Sequence, residues 1–400
     1  MNTFSPQLPK VKNYFFSQPH QPFFLFGVLW AIVSMIVFTF AHKGVITLNI
    51  AENQFHLYSL AFIVFGQLFH GFLFTTFPRF CSSPTIPREV YTRITWLYQI
   101  GAALFFIGSL LSQWVVLAAI AVTLFAHSMA IFTLWWIYQN GQSPMKNDPF
   151  WILVAHFIGL GAHFIWMLCY GLEQFGIIFN WLNLVSPIII NLFLIFLTFS
   201  VAQRMIPFFS HSQAEKSPRF IEITFALLTL KTLLAVLVFP FPEATVSLIL
   251  AGYLLREFLR WKLSPFQSPA ILWILHLALF WFPIGLFLGA LAQIIEIVTA
   301  TSFLFLGTHL LILGFLTTVL IGFGTRVTLG HSGQPPHADT LAIVLFWWTQ
   351  VVIIARSALS IDHGFGASHP WIFDLTVTTW VLLFVIWGWK YGKILLYGKR

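Results

Sequence analysis

The sequence predicts an all-α membrane protein, a polytopic bundle of about twelve transmembrane helices with both termini in the cytoplasm. Of its 400 residues, 58% are hydrophobic and only 8% are charged, whereas a soluble domain carries about 25% charged residues. The apolar stretches recur at membrane-spanning length, since about 20 helical residues cross a bilayer. The basic residues also collect in alternate loops, which is typical of a multi-pass protein.

Twelve apolar windows are long enough to cross a membrane, and each should be helical because backbone polar groups in lipid must bond within their own segment. The predicted spans are 22–42, 56–77, 92–112, 114–138, 150–172, 181–204, 219–239, 244–262, 269–295, 297–324, 340–359 and 371–395. The boundaries at Ser112 and near Glu296 leave the least room for a turn. We expect one transmembrane domain over residues 1–400, with residues 1–21 as a cytoplasmic segment and no internal repeat.

The placement of basic residues sets the orientation. With the N-terminus inside, 17 of the 20 Lys and Arg residues fall in inner segments, including Lys10, Lys12, Lys399 and Arg400. Only two lie in outer loops. The net charge of +8 is therefore a topology signal, and it does not indicate nucleic-acid binding. We expect a multi-pass membrane protein in contact with the lipid bilayer.

Histidine is the residue type that indicates chemistry. The chain has 14 histidines, and ionisable residues inside a membrane usually face the bundle interior and mark a functional site. Neutral imidazole binds copper and haem iron. Those that fall well inside predicted spans are His70, His127, His156, His163, His276 and His309. The alternative is that each only makes hydrogen bonds between helices.

The spacing of the histidines refines this prediction. His156 and His163 are two turns apart on one helical face, and His56 and His70 are four turns apart on another. His309 is predicted near mid-membrane. Histidines from several helices at one depth are what a metal or haem site in a bundle core requires.

Two arginines that end predicted spans, Arg204 and Arg326, could bind haem propionates, because arginine recognises carboxylates bidentately. The alternative is the general excess of basic residues on the inner side. No Cys-x-x-Cys-His motif for covalent haem occurs in the sequence, so any haem would be non-covalent, most simply haem b.

Several segments resemble the NnrS family of bacterial membrane proteins. The best match is HLLILG at residues 309–314 followed by GTRVTLGHSG at 324–333, which is similar to the family's His-x4-Gly run and its TR-x-x-LGH-x-G pattern. Shorter matches are PFFL at 22–25, GFLFTTFP at 71–78 and RMIPFFS at 204–210. Together they cover nearly the whole chain.

The resemblance implies a protein that contains haem and copper and protects against nitric oxide. The histidines at matching positions are His56, His163, His276, His309 and His331. A family pattern of His-x-His-Glu is only half present, because Tyr58 and Ser59 stand where the second His and the Glu would be.

These observations give a set of predicted site residues. The predicted cofactor-binding residues are His56, His70, His156, His163, His276, His309, His331, Arg204 and Arg326, and the predicted metal ligands among them are His163, His276, His309 and His331.

Two classes of function fit the sequence. The first is a haem and copper protein that handles nitric oxide, either by binding it or by reducing it to nitrous oxide as an oxidoreductase with a quinol as electron donor. The arrangement is analogous to that of haem-copper oxidases and nitric oxide reductases, although their paired His-His signature is absent. The second is a secondary transporter or exporter, for which twelve spans are also common.

Overall fold

In a computed structural model, residues 14–212, 215–263, 265–367 and 369–398 are described, and they form an all-helical bundle. The lysines and arginines at positions 10, 12, 399 and 400, and most of the predicted N-terminal segment 1–21, lie outside these residues. The long helices are α1 (His20–His42), α2 (Glu52–Phe80), α3 (Arg88–Leu111), α4 (Gln113–Asn140), α5 (Asn147–Gln174), α6 (Leu182–Phe209), α7 (Phe220–Val236), α8 (Pro240–Arg260), α9 (Ala270–Thr299), α10 (Leu306–His331), α11 (Thr340–Gly364) and α12 (Pro370–Tyr397).

Within the described part of the chain, ten of these helices are long and apolar enough to cross a membrane. The other two are α7 and α8, which occupy the positions of the predicted seventh and eighth spans. Helix α7 has only 17 residues. Helix α8 carries four charged residues, Glu243, Arg256, Glu257 and Arg260.

The boundary between the ninth and tenth helices differs from the prediction. Helix α9 continues to Thr299, and α10 begins only at Leu306. The chain reverses through Ala300, Leu304 and Phe305, all in the left-handed region with φ of 55°, 46° and 57°. His309 therefore lies in the first turn of α10 and not near the middle of a span, as the predicted range 297–324 had placed it.

The helices form three consecutive groups of four, α1–α4, α5–α8 and α9–α12, although the sequence shows no repeat. The last helix of each group packs on the first of the next, because α4 contacts α5, α8 contacts α9 and α12 contacts α1. The second helices, α2, α6 and α10, contact one another at the centre. Their most apolar windows are 89%, 72% and 67% buried, against 33–61% for the other seven candidate spans among the described residues.

Each central helix contains a π-helical segment, a rare conformation that is often found at functional sites. The three segments are Ser59–Phe65 in α2, Ile188–Ile195 in α6 and Leu310–Thr317 in α10. In α10 the Thr317 and Thr318 hydroxyls donate to carbonyls five residues earlier, at 2.8 and 3.0 Å. A π segment rotates the following helix relative to the preceding part, so it changes which side chains share a face.

Two glycines, Gly289 in α9 and Gly307 in α10, allow the backbones of these two helices to come into contact. A Cβ on Gly289 would lie 2.7 Å from the Cα of Gly307. We expect Gly289→Val to destabilise the protein by about 1–3 kcal/mol because the helices must separate, which thermal unfolding in detergent would measure. Gly252→Val is the matched control, since its Cβ would have no neighbour within 4 Å. Equal stability of the two variants would contradict this packing.

Candidate functional site: a buried cluster of histidines

Three histidines from three helices meet in the bundle interior. His70 of α2, His127 of α4 and His156 of α5 each direct one ring nitrogen to a common point, and these nitrogens lie within 4.8 Å of one another. All three residues are at most 2% exposed. The His70 and His156 rings are nearly parallel, with centroids 5.5 Å apart, and the His127 ring lies edge-on to His70 at 5.5 Å.

The cluster leaves imidazole nitrogens without partners. Among the described residues, neither nitrogen of His70 or His156 has a hydrogen-bond partner, and the same is true of Nε2 of His127. A buried polar group without a hydrogen bond costs about 1–3 kcal/mol. The three nitrogens that converge, one from each histidine, therefore suit a bound species that they coordinate.

Packing from the central helices holds the cluster in place. Phe193, in the π segment of α6, contacts the His127 and His156 rings at centroid distances of 5.7 and 6.0 Å. It can do so because Gly159 lacks a side chain, and a Cβ there would lie 2.4 Å from the Phe193 ring. Apolar walls of this kind exclude water from a metal site and tune its properties.

The cluster fits a single metal ion. Three nitrogens about 2 Å from one ion lie about 3.3–3.5 Å apart, so a contraction of about 1.5 Å in their separations would close the site. Imidazole ligands suit copper, zinc, iron and nickel. The cluster offers no slot for a haem between its rings, because Phe193 and the neighbouring histidine rings already fill that space.

His163, which was predicted as a metal ligand, is not part of the three-histidine cluster but contacts one of its members, His127. Its Nδ1 is 3.1 Å from Nδ1 of His127, and its Nε2 is 2.9 Å from the Tyr58 hydroxyl. As the spacing predicted, His156 and His163 share one face of α5, since both contact His127. Phe62 stacks on the His163 ring at 4.0 Å.

A second feature is a cavity of about 1070 Å³ at the end of the bundle where α1 joins α2. It is lined by His56, His309 and Arg356. Nδ1 of His309 donates to the Phe305 carbonyl at 3.0 Å, so its Nε2 carries the lone pair. The volume is just above the usual range for cofactor and ligand pockets, about 300–1,000 Å³. The cavity is therefore large enough for a cofactor of the size of haem, and His309 is a lining residue that could bind one.

The prediction that His56 and His70 share one face is wrong. His56 lines the cavity, whereas His70 lies in the three-histidine cluster. The π segment Ser59–Phe65 separates them, and one inserted residue turns the following helix by roughly 100°.

A buried ion pair also lines the cavity. Lys231 Nζ contacts Glu243 Oε1 at 2.6 Å, and both side chains are 14% exposed. We expect Lys231→Met to destabilise the protein by about 3 kcal/mol because it leaves a buried carboxylate without its charge partner. The double variant Lys231→Met/Glu243→Gln should recover most of the loss in thermal unfolding. A single variant as stable as wild type would contradict this.

The remaining predicted residues lie apart from both features, near the end of the bundle where α2 joins α3. Nε2 of His276 is 2.6 Å from the Ser210 hydroxyl. The His331 ring is 5.0 Å from His20, which is itself 2% exposed. Arg204 pairs with Asp148 at 2.9 Å.

Arg326 is placed in the same region, above the Phe209 ring at 4.0 Å. The arginine that lines the cavity, together with His42, His56 and His309, is instead Arg356. It was not among the predicted propionate-binding residues, because its position in an outer loop of the predicted topology gave it no neighbour to act on.

His127 is the cluster member that was absent from the predicted ligands, although it was noted inside a span. It stands alone on α4 with no second histidine at helical spacing. Its central position in that helix, 14 residues after Gln113 and 13 before Asn140, was the feature that could have identified it.

The comparisons with known proteins agree with the resemblance seen in the sequence. A search of curated proteins finds no match to this chain. The family model described as NnrS protein matches residues 14–399. Since this covers nearly the whole chain, including the helices that carry both histidine sites, the chain belongs to the NnrS family.

Proposed function

We propose that this protein is a haem- and copper-containing membrane protein that handles nitric oxide. The observation that carries the proposal is the cluster of His70, His127 and His156, whose inward nitrogens lie within 4.8 Å without hydrogen-bond partners. Membership of the NnrS family is consistent with a link to nitric oxide stress.

The two histidine features would hold different groups. His70, His127 and His156 would bind one copper ion, and three ligands leave a coordination position open to a small molecule. In the cavity, Nε2 of His309 would bind haem iron, with His56 on the same cavity wall. Bound haem b would supply nitric oxide binding and one-electron exchange.

Arg356 would position the haem electrostatically. Its guanidinium is held by the Leu304 carbonyl at 2.7 Å and by the Ser360 hydroxyl at 2.6 Å. These two hydrogen bonds fix a positive charge at the cavity wall, where it can attract a propionate carboxylate. This role replaces the one that the sequence suggested for Arg204 and Arg326.

The most concrete chemistry is the reduction of two nitric oxide molecules to nitrous oxide and water, which consumes two electrons and two protons. A quinol that is oxidised to quinone can supply both. The non-catalytic form of the proposal is binding of nitric oxide alone. We also propose twelve spans, with α7 and α8 in the membrane, both termini in the cytoplasm, and location in the bacterial inner membrane.

A secondary transporter is the second candidate, because a cavity at one end of a bundle with a buried Lys231–Glu243 pair also suits a solute. Optical spectra of the purified protein, recorded before and after dithionite, separate the two candidates when combined with copper analysis. A Soret band, sharpened reduced bands and stoichiometric copper support the proposal. A colourless protein without metal would contradict it, and nitric oxide consumption with a quinol decides between enzyme and binder.

A further inference from the structure

Two hydrogen bonds link the three-histidine cluster to a tyrosine. Nδ1 of His127 is 3.1 Å from Nδ1 of His163, and Nε2 of His163 is 2.9 Å from the Tyr58 hydroxyl. The three side chains come from three helices, α4, α5 and α2.

Two directions are possible along this chain of neutral groups, because each imidazole carries one N–H. In the first, Nδ1–H of His127 donates to Nδ1 of His163, and Nε2–H of His163 donates to the Tyr58 hydroxyl oxygen. In the second, the Tyr58 hydroxyl donates to Nε2 of His163, and Nδ1–H of His163 donates to Nδ1 of His127. Metal binding by Nε2 of His127 requires the first direction.

The first direction leaves His127 able to bind a metal in the three-histidine cluster. Because Nδ1 of His127 carries the proton, its Nε2 carries the lone pair, and Nε2 is the nitrogen without a hydrogen-bond partner. Every other polar atom along this chain of groups has a donor or an acceptor. The opposite direction would place a proton on Nε2 of His127 and block metal binding there.

We propose that Tyr58 and His163 form a positioning chain that sets the tautomer and orientation of His127 for metal binding. This inference rests on the proposed metal site. His163 then hydrogen-bonds to a metal ligand and does not bind the metal itself. Phe62 reinforces the arrangement, since its ring stacks on His163 with an angle of 17° between planes.

The test measures affinity for Cu(I) and for Zn(II), each alone, by chelator competition with the full-length protein in detergent. His163→Phe keeps an aromatic ring against Phe62 but removes the nitrogen that accepts from His127. Metal affinity should therefore fall about 10–100-fold, the usual effect of losing a residue that hydrogen-bonds to a metal ligand. His163→Asn places an amide oxygen where Nδ1 was and should recover much of the loss. Tyr58→Phe should lower affinity by a smaller factor.

Tyr253→Phe is the matched control, because its buried hydroxyl has no partner among the described residues and it lies on α8. It should bind both metals as wild type does. Pulsed EPR of the Cu(II) form gives a second readout, since the quadrupole coupling of the remote imidazole nitrogen responds to its hydrogen bond. That coupling should change in His163→Phe and return towards the wild-type value in His163→Asn.

Three results would overturn the inference while wild type still binds metal. They are unchanged affinity in His163→Phe, equal losses in His163→Phe and His163→Asn, and four coordinated imidazoles in wild type. If the wild-type protein did not bind metal, that result would instead contradict the proposed metal site itself.

Discussion

Replacing His127 by alanine should abolish stoichiometric copper binding while leaving haem in place. The change removes one of the three imidazole ligands. Losing a residue that only hydrogen-bonds to a ligand lowers metal affinity about 10–100-fold, and losing the ligand itself should lower it further. His156→Ala should have the same effect, although His156 has no hydrogen bond to the His163 chain. Copper per protein in detergent, together with the haem absorbance, measures both results.

His337→Ala is the control for the copper experiment, because His337 is exposed in the α10–α11 connection. It should retain wild-type copper and haem. If His127→Ala and His156→Ala both kept a full complement of copper, the three-histidine site would be wrong. Loss of copper together with haem and thermal stability would also contradict two separate sites.

The second large effect is expected at His309. His309→Ala should remove most of the haem, since it deletes the one imidazole in the cavity whose Nε2 is left free by a hydrogen bond to a backbone carbonyl. Loss of an axial ligand should lower haem affinity by more than about tenfold. Haem per protein, determined from the Soret band and from pyridine extraction, measures the result.

His276→Ala is the informative comparison for haem, because the sequence also predicted His276 as a ligand. Its Nε2 is bonded to the Ser210 hydroxyl, so this variant should keep its haem. A full haem complement in His309→Ala, or haem loss only in His276→Ala, would contradict the assignment of haem to the cavity.

The fold was largely predictable because hydropathy and charge placement are local properties of the sequence. All twelve predicted spans coincide with a helix, and ten of those among the described residues meet the requirements for crossing a membrane. The α9–α10 boundary was not predictable to within a few residues. Its reversal uses Ala300, Leu304 and Phe305, where neither glycine nor proline marks a turn.

The histidine sites were predictable in part. Their residue type and burial follow from composition, but the partners depend on how helices pack and on where π segments turn them. One such segment separates His56 from His70. His127 joined the cluster through contact between α4 and α5, which no spacing along the chain encodes.

The most direct test of the three-histidine centre is X-ray absorption at the copper edge of the purified protein. The structure predicts about three nitrogen scatterers at about 2 Å with the outer-shell pattern of imidazole. It also predicts no sulfur scatterer, since Cys81 and Cys169 lie outside the cluster. A sulfur-dominated first shell, or one without imidazole, would contradict the account.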